Sequence, residues 1–155
     1  MPRNFSVNGK NTTASTTTQT TVIQLLGANL VRTWVFDITM GSTIAPADYA
    51  TTWDLSRHTT ASTVTSYTPL PLDPVNLASL AVGGASATGV NASAEGTYTA
   101  GGSLIVVPLN ARATFRYVAS PGAEFVNTFT AANGLGLRQG ATTAIVGTGT
   151  LLYFE

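Results

Sequence analysis

The residue with the most chemical potential in this chain is its only histidine, His58. A zinc site built on imidazole needs two or three histidines. A Ser-His-Asp triad needs a nucleophile beside the base, and no Gly-x-Ser-x-Gly turn accompanies His58. Because it follows Arg57 in a segment of alternating polarity, we expect His58 to be a surface residue of a strand.

The seven carboxylates do not form a recognisable catalytic pair. Glycoside hydrolysis needs two acids a few ångströms apart, but Asp48 is typical of a turn and Asp73 of a helix cap. Cysteine is absent, so there is no thiolate nucleophile and no cysteine zinc site. The glycine-rich stretches lead into loops or strands and not into a phosphate-binding helix. We therefore expect no enzymatic activity, no cofactor and no metal.

The charge content restricts the partners. Only 9% of the 155 residues are charged, and the formal net charge is zero. The seven basic residues are scattered and predict no nucleic-acid binding, which needs clustered cations. No apolar run reaches the ~20 residues of a membrane helix, and the N-terminus lacks a signal-peptide pattern, so we expect no membrane partner and synthesis in the cytoplasm. Low net charge favours association with other proteins.

The strands predicted from alternating polarity are the elements that would position any functional side chains. Leu30–Met40 alternates with period two, which predicts that Trp34 and Phe36 share a buried face. Similar alternation at Thr51–Thr60 and Ala111–Ala119, with frequent turn signals, gives about eight to ten short strands. The predicted fold is all-β, an antiparallel β-sandwich or jelly-roll-like barrel.

Two segments depart from this pattern. Asp73-Pro74 followed by Val75–Val82 and Gly83 predicts one short helix, with Asp as the cap and Pro at the first helical position. Residues 1–21 are polar and rich in Thr, and predict an extended N-terminal arm that is ordered only on a partner; a frayed tail is the alternative. Residues 22–155 then form a single β domain.

Five residues are candidates for binding a partner. Phe5 and Val7 are two apart, so in an extended arm they point the same way and could anchor in one groove. Arg32 interrupts an apolar strand face, and Arg112 and Arg116 share a predicted strand face. Arginine is favoured at interfaces because its planar fork binds carboxylates bidentately. Simple solvent exposure of these arginines remains the alternative.

Four segments carry a resemblance to a known class: Val31–Ile38, Pro69–Pro74, Leu109–Val118 and Ala131–Leu137. In these segments the chain resembles the head decoration, or cement, proteins of tailed bacteriophages. The resemblance implies a β-sandwich or barrel subunit, commonly a homotrimer, bound to the major capsid protein at threefold or quasi-threefold positions on the outer surface of the virion. It assigns no site residue.

A second function class stays open, a tail or fibre component that acts as a host-glycan-binding adhesin. Such a module needs exposed aromatic side chains with acids in a cleft. Trp53, Tyr49 and Asp54 are the nearest candidates in the sequence.

Overall fold

The chain folds into twelve β-strands and, among the residues described, no helix. The computed structural model describes residues 2–11, 19–27, 31–43, 48–81, 88–128, 130, 132–141 and 145–155. The strands, in chain order, are β1 (Asn4–Lys10), β2 (Thr20–Leu26), β3 (Trp34–Ser42), β4 (Ala50–Thr60), β5 (Thr63–Ser66), β6 (Leu70–Pro71), β7 (Gly89–Ala94), β8 (Thr97–Asn110), β9 (Phe115–Val118), β10 (Phe125–Val126), β11 (Gly134–Ala141) and β12 (Gly147–Phe154).

Two antiparallel sheets pack as a β-sandwich, which confirms the predicted fold class. The first sheet has the order β10-β3-β12-β1-β6, with β9 also paired to β3. The second has the order β5-β7-β2-β11-β4-β8. Their facing side chains form one core that includes Ile23, Leu55, Leu137, Leu151 and Tyr153. Burying such side chains is the main driving force for folding.

The prediction of an N-terminal arm is wrong for residues 4–10. These residues form β1, which pairs with β12 over seven positions and with β6 on its other side. Phe5 and Val7 are fully buried, and the Phe5 ring stacks on Tyr153 with centroids 5.5 Å apart. Strand pairing supplies the main-chain hydrogen bonds, so two inward apolar side chains suffice to fix a polar segment. Residues 12–18 of the predicted arm lie outside the described residues.

A β-bulge in β3 reverses the predicted faces at its start. Leu152 pairs with Asp37 and Tyr153 pairs with Val35, which leaves Phe36 as the extra residue. An inserted residue inverts the alternation of side chains. Val35 therefore enters the core, whereas Trp34 and Phe36 are only half-buried and contact Phe154.

The predicted helix after Asp73 does not form in residues 75–81, the part of it that the structure describes; residue 82 lies outside the described residues. Asp73 instead closes a turn, in which its carbonyl accepts from the Asn76 amide and its side chain accepts from the Val75 amide. Such Asx-type bonds offer the backbone an alternative to a helix. The amides of Leu80 and Ala81 donate to the Glu155 carboxylate, so they are not used in helical hydrogen bonds.

Candidate binding surfaces

Five of the eight large apolar side chains that are exposed among the described residues lie in one short stretch, Leu70–Leu80, called here the apolar segment. Val75 is 89% exposed and Leu77 is 76% exposed. Leu70, Leu72 and Leu80 are each at least half exposed. Single exposed apolar residues are ordinary, but a contiguous group is typical of a protein interaction site.

Both ends of the apolar segment are fixed to the first sheet. At its start, the Leu72 amide donates to the Asn4 carbonyl of β1. At its end, the Glu155 carboxylate accepts from the Ser79 hydroxyl and from two backbone amides, and it forms an ion pair with Arg3 at 2.9 Å. The apolar side chains are thus presented on an anchored backbone, which lowers the entropic cost of binding.

A pocket of about 340 Å³ lies at the other edge of the first sheet, beside β10. This pocket, called here the arginine pocket, is lined by Arg32, Arg57, Val126, Asn127 and Thr128. Arg57 reaches it from β4 of the second sheet and donates from Nη1 to the Val126 carbonyl at 2.9 Å. The Asn127 amide group donates to the Leu25 carbonyl of the second sheet, so the pocket walls bridge both sheets. Two guanidinium groups in one pocket favour an anionic ligand group.

The outer face of the first sheet carries a half-buried aromatic group. Trp34 stacks on Phe154 with centroids 5.4 Å apart and nearly parallel rings, and Phe36 lies against Phe154 at 6.1 Å. Next to them, Val118 is 56% exposed. This face therefore offers apolar surface between the apolar segment and the arginine pocket.

The outer face of the second sheet is built differently, around the buried ion pair of Arg138 and Asp54. The Arg138 guanidinium binds the Asp54 carboxylate through two hydrogen bonds of 2.8 and 2.7 Å, and Gln19 donates to the same carboxylate. The guanidinium also stacks over the Tyr98 ring, 3.9 Å from its centroid. These contacts satisfy both charges, as a buried pair requires.

Tyr98 covers this ion pair and is itself held by hydrogen bonds. Its hydroxyl lies 2.6 Å from the Thr21 hydroxyl, and the Glu95 carboxylate accepts from the Thr21 amide at 2.7 Å. Burial raises the pKa of Tyr98 to about 12, so the phenol stays neutral. A β-carbon at Gly136 would collide with the Tyr98 hydroxyl, which explains why glycine stands beneath this ring.

His58 is buried beside Tyr98, which corrects the prediction of a surface histidine. Its ring meets the Tyr98 ring edge-on at 5.6 Å, and only 2% of the residue is exposed. Burial lowers the pKa of His58 to about 4, against a weaker opposing effect of the Ala132 backbone. Asp54, Ser56 and His58 alternate on one face of β4, but the Ser56 hydroxyl bonds to Asp54 and Ser103. A nucleophile needs its base within hydrogen-bond distance, so this trio is suited to structure rather than catalysis.

The five sequence-predicted site residues do not come together. Phe5 and Val7 are in the core, which is incompatible with their predicted role as exposed anchors. Arg32 lines the arginine pocket. Arg116 lies on β9 and binds the Asp37 carboxylate, which raises the pKa of its guanidinium. Arg112 lies in the turn before β9 and pairs with Asp48 at 3.1 Å, so the two arginines do not share a strand.

The glycan-binding cleft considered from the sequence is not formed by its three candidates. Trp53 is buried in the core, and Asp54, on the opposite face of β4, is occupied by Arg138. Of the three, only Tyr49 is exposed.

Sequence reasoning missed the apolar segment and Arg57. The prediction placed Val75 and Leu77 in a helix and not in an exposed non-helical segment. The signal was present in the prolines at 69 and 71, which disfavour a central strand at the start of this stretch. Arg57 could not be found in the same way, because its neighbours in the pocket are distant in sequence.

No protein-family model, no curated protein and no solved structure matches the chain. Within the part of the chain that the structure describes, no three potential metal-ligating side chains are grouped, and no helix is long and apolar enough to span a membrane.

Proposed function

We propose that this chain is a non-enzymatic structural subunit that binds the outside of an assembled bacteriophage capsid and stabilises it. Its partners are the major capsid protein and further copies of itself, in a homotrimer. The observation that carries the proposal is the apolar segment, in which five large apolar side chains are at least half exposed on an anchored backbone. Such a surface lowers its free energy by docking on another protein.

The charge distribution supports a protein partner. Four of the seven basic residues form ion pairs with carboxylates of the same chain. The other three, Lys10, Arg32 and Arg57, are too few for the clustered cations that a phosphate backbone needs, whereas a nearly neutral surface allows many copies to pack side by side without repulsion. The resemblance of four segments to head decoration proteins is the reason for proposing the major capsid protein as the partner.

The adhesin alternative receives no support from these contacts, because Trp53 is in the core and cannot stack on a sugar. The decoration hypothesis needs only a stable body and an exposed apolar contact. A ligand that binds the assembled shell more tightly than its free subunits shifts the equilibrium towards the shell.

Co-sedimentation with DNA-free heads of the phage that encodes the chain tests the proposal. The wild-type protein should bind in a saturating number that covers the lattice and should raise the temperature at which the heads rupture. A double variant, Leu77→Asn with Leu80→Asn, changes two exposed side chains; it should remain folded and lose most of this binding. The matched control is Val106→Asn, which changes an exposed apolar residue of the second sheet. Absence of wild-type binding, or binding of a few copies at one vertex, would contradict the proposal.

A further inference from the structure

The apolar segment and the arginine pocket lie at opposite edges of the first sheet. The apolar segment continues from β6, whereas β10 contributes Val126 to the pocket. Between β6 and β10 stand β1, β12 and β3. At the usual strand spacing, the two edges are about 19 Å apart. The two surfaces therefore cannot meet within one molecule.

Their chemistry is complementary. The apolar segment carries one carboxylate, Asp73, between the exposed side chains of Leu72 and Val75. The pocket carries Arg32 and Arg57 beside the apolar side chain of Val126. A guanidinium group can bind a carboxylate bidentately, through two parallel hydrogen bonds. None of the four ion pairs among the described residues includes Asp73 or Arg57.

The side chain of Asp73 is placed to make such a contact. One of its carboxylate oxygens, Oδ1, accepts from the Val75 amide at 3.0 Å and so fixes the orientation of the group. The residue lies on the surface, and Oδ2 makes none of the hydrogen bonds described for this turn. The turn thus holds a carboxylate in a preformed position, flanked by apolar surface.

We propose that the apolar segment of one subunit docks at the arginine pocket of a second copy, where the Asp73 carboxylate binds the guanidinium groups of Arg32 and Arg57. The docked side chains of Leu72 and Val75 then cover the apolar surface around Val126 and Trp34. Because the two surfaces differ, the contact is head-to-tail, and such contacts close into rings when the rotation between subunits allows it. This inference rests on the proposed function and divides the apolar segment between two partners. Leu72 and Val75 contact the neighbouring copy, whereas Leu77 and Leu80 remain exposed for the capsid.

Sedimentation velocity of the purified protein across the micromolar range tests the contact. The key variant is Asp73→Asn, whose side-chain oxygen can still accept from the Val75 amide while the negative charge is lost. The wild type should self-associate, more weakly as salt is added. The variant should raise the dissociation constant at least about tenfold, the effect of losing about 1.4 kcal/mol of contact energy. The matched control is Asp48→Asn, which removes an exposed carboxylate elsewhere and should leave self-association unchanged.

A charge exchange gives a second, independent test. Asp73→Arg should abolish self-association. A mixture of this variant with Arg57→Glu should restore contacts between unlike subunits as mixed pairs but not as rings of three, because a ring of three always places two like subunits side by side. The Asp73 variants change only an exposed turn, so they test the contact even where Arg57→Glu fails to fold.

The inference is overturned if the wild type stays monomeric at every concentration, or if Asp73→Asn self-associates as the wild type does. Head binding separates this outcome from the proposed function. A monomeric wild type that still saturates the heads contradicts the inference and the homotrimer, and leaves the capsid-binding function in place. Self-association that depends on Asp73, without any binding to heads, supports the inference and contradicts the capsid function.

Discussion

The outer faces of the two sheets differ in whether their side chains are covered by residues of the same chain. On the second sheet, Arg138, Asp54 and Tyr98 are covered and bonded to each other by residues of the same chain. On the first sheet, Trp34 and Phe154 are half-buried, and the neighbouring apolar segment is exposed. The ion pair of the second face is covered within one chain, although Val106 beside it is exposed, whereas all five large apolar side chains of the apolar segment beside the first face are exposed. We therefore propose that the second face contributes mainly to stability and the first to binding.

Removal of the buried carboxylate should produce the largest effect on the second sheet. Asp54→Ala leaves the Arg138 guanidinium buried without its partner, and we expect the free energy of unfolding to fall by about 3–5 kcal/mol. The matched control is Asp48→Ala, whose pair with Arg112 is solvent-exposed and should contribute no more than about 1 kcal/mol. Urea denaturation of both variants measures the difference. Equal losses in the free energy of unfolding would show that the buried ion pair of the second sheet contributes no more than the exposed pair does.

The first sheet should contribute to stability through its inner face. Phe5→Ala removes a fully buried ring that stacks on Tyr153, and we expect a loss of about 3–5 kcal/mol in the free energy of unfolding. The same denaturation experiment on Asn8→Ala, an outward residue of β1, should show little change. If Phe5→Ala is as stable as the wild type, β1 is not part of the core and the correction of the N-terminal arm fails.

The buried histidine should make the second sheet sensitive to acid. The unfolded state binds a proton at His58 below pH 6.5, whereas the folded state does so only below about pH 4. Stability is therefore fully present above pH 6.5 and falls as the pH drops towards 4, by about 3 kcal/mol in total. The comparison protein is His58→Gln, which should show a shallower dependence over this window, because the effects of the carboxylates are common to both. The same slope in both proteins would show that His58 does not contribute.

The smallest effect on stability is expected in the apolar segment. Val75→Asn and Leu77→Asn change side chains that are already in solvent, so the free energy of unfolding should change by no more than about 0.5 kcal/mol. Thermal denaturation of both variants checks this. A large loss would show that the segment packs on its own domain and is not a binding surface.

The strands with clear alternation could be predicted from the sequence. The contacts that bury the outer face of the second sheet could not. In β4, Trp53 and Leu55 face the core as period two predicts, but Asp54, Ser56 and His58 on the opposite face are buried too, which period two does not predict. β7 has no alternation in its sequence, because Val90 is the one large apolar residue of Gly89–Ala94, and its strand conformation depends on pairing with β2 and β5. Local sequence carries no information about such partners.

The errors at β1 and β3 share a physical cause. β1 has only Phe5 and Val7 as large apolar residues, so its place in the sheet depends on main-chain pairing with β12 rather than on hydrophobic pattern. In β3 the pattern was correct, but the bulge at Phe36 exchanged the two faces at the start of the strand. Of the candidate site, Arg32 was identified from the sequence, whereas Arg57 and the apolar segment became apparent only from their exposure and neighbours in space.

Hydrogen–deuterium exchange of the protein, free and bound to phage heads, tests the division between the two faces most directly. Binding should slow the exchange of the amides in the apolar segment and at the β10 edge of the first sheet. The amides of β7 and of the adjoining half of β8 on the second sheet should exchange equally in both states. Slower exchange at β7 and β8, with no change in the apolar segment, would contradict the account.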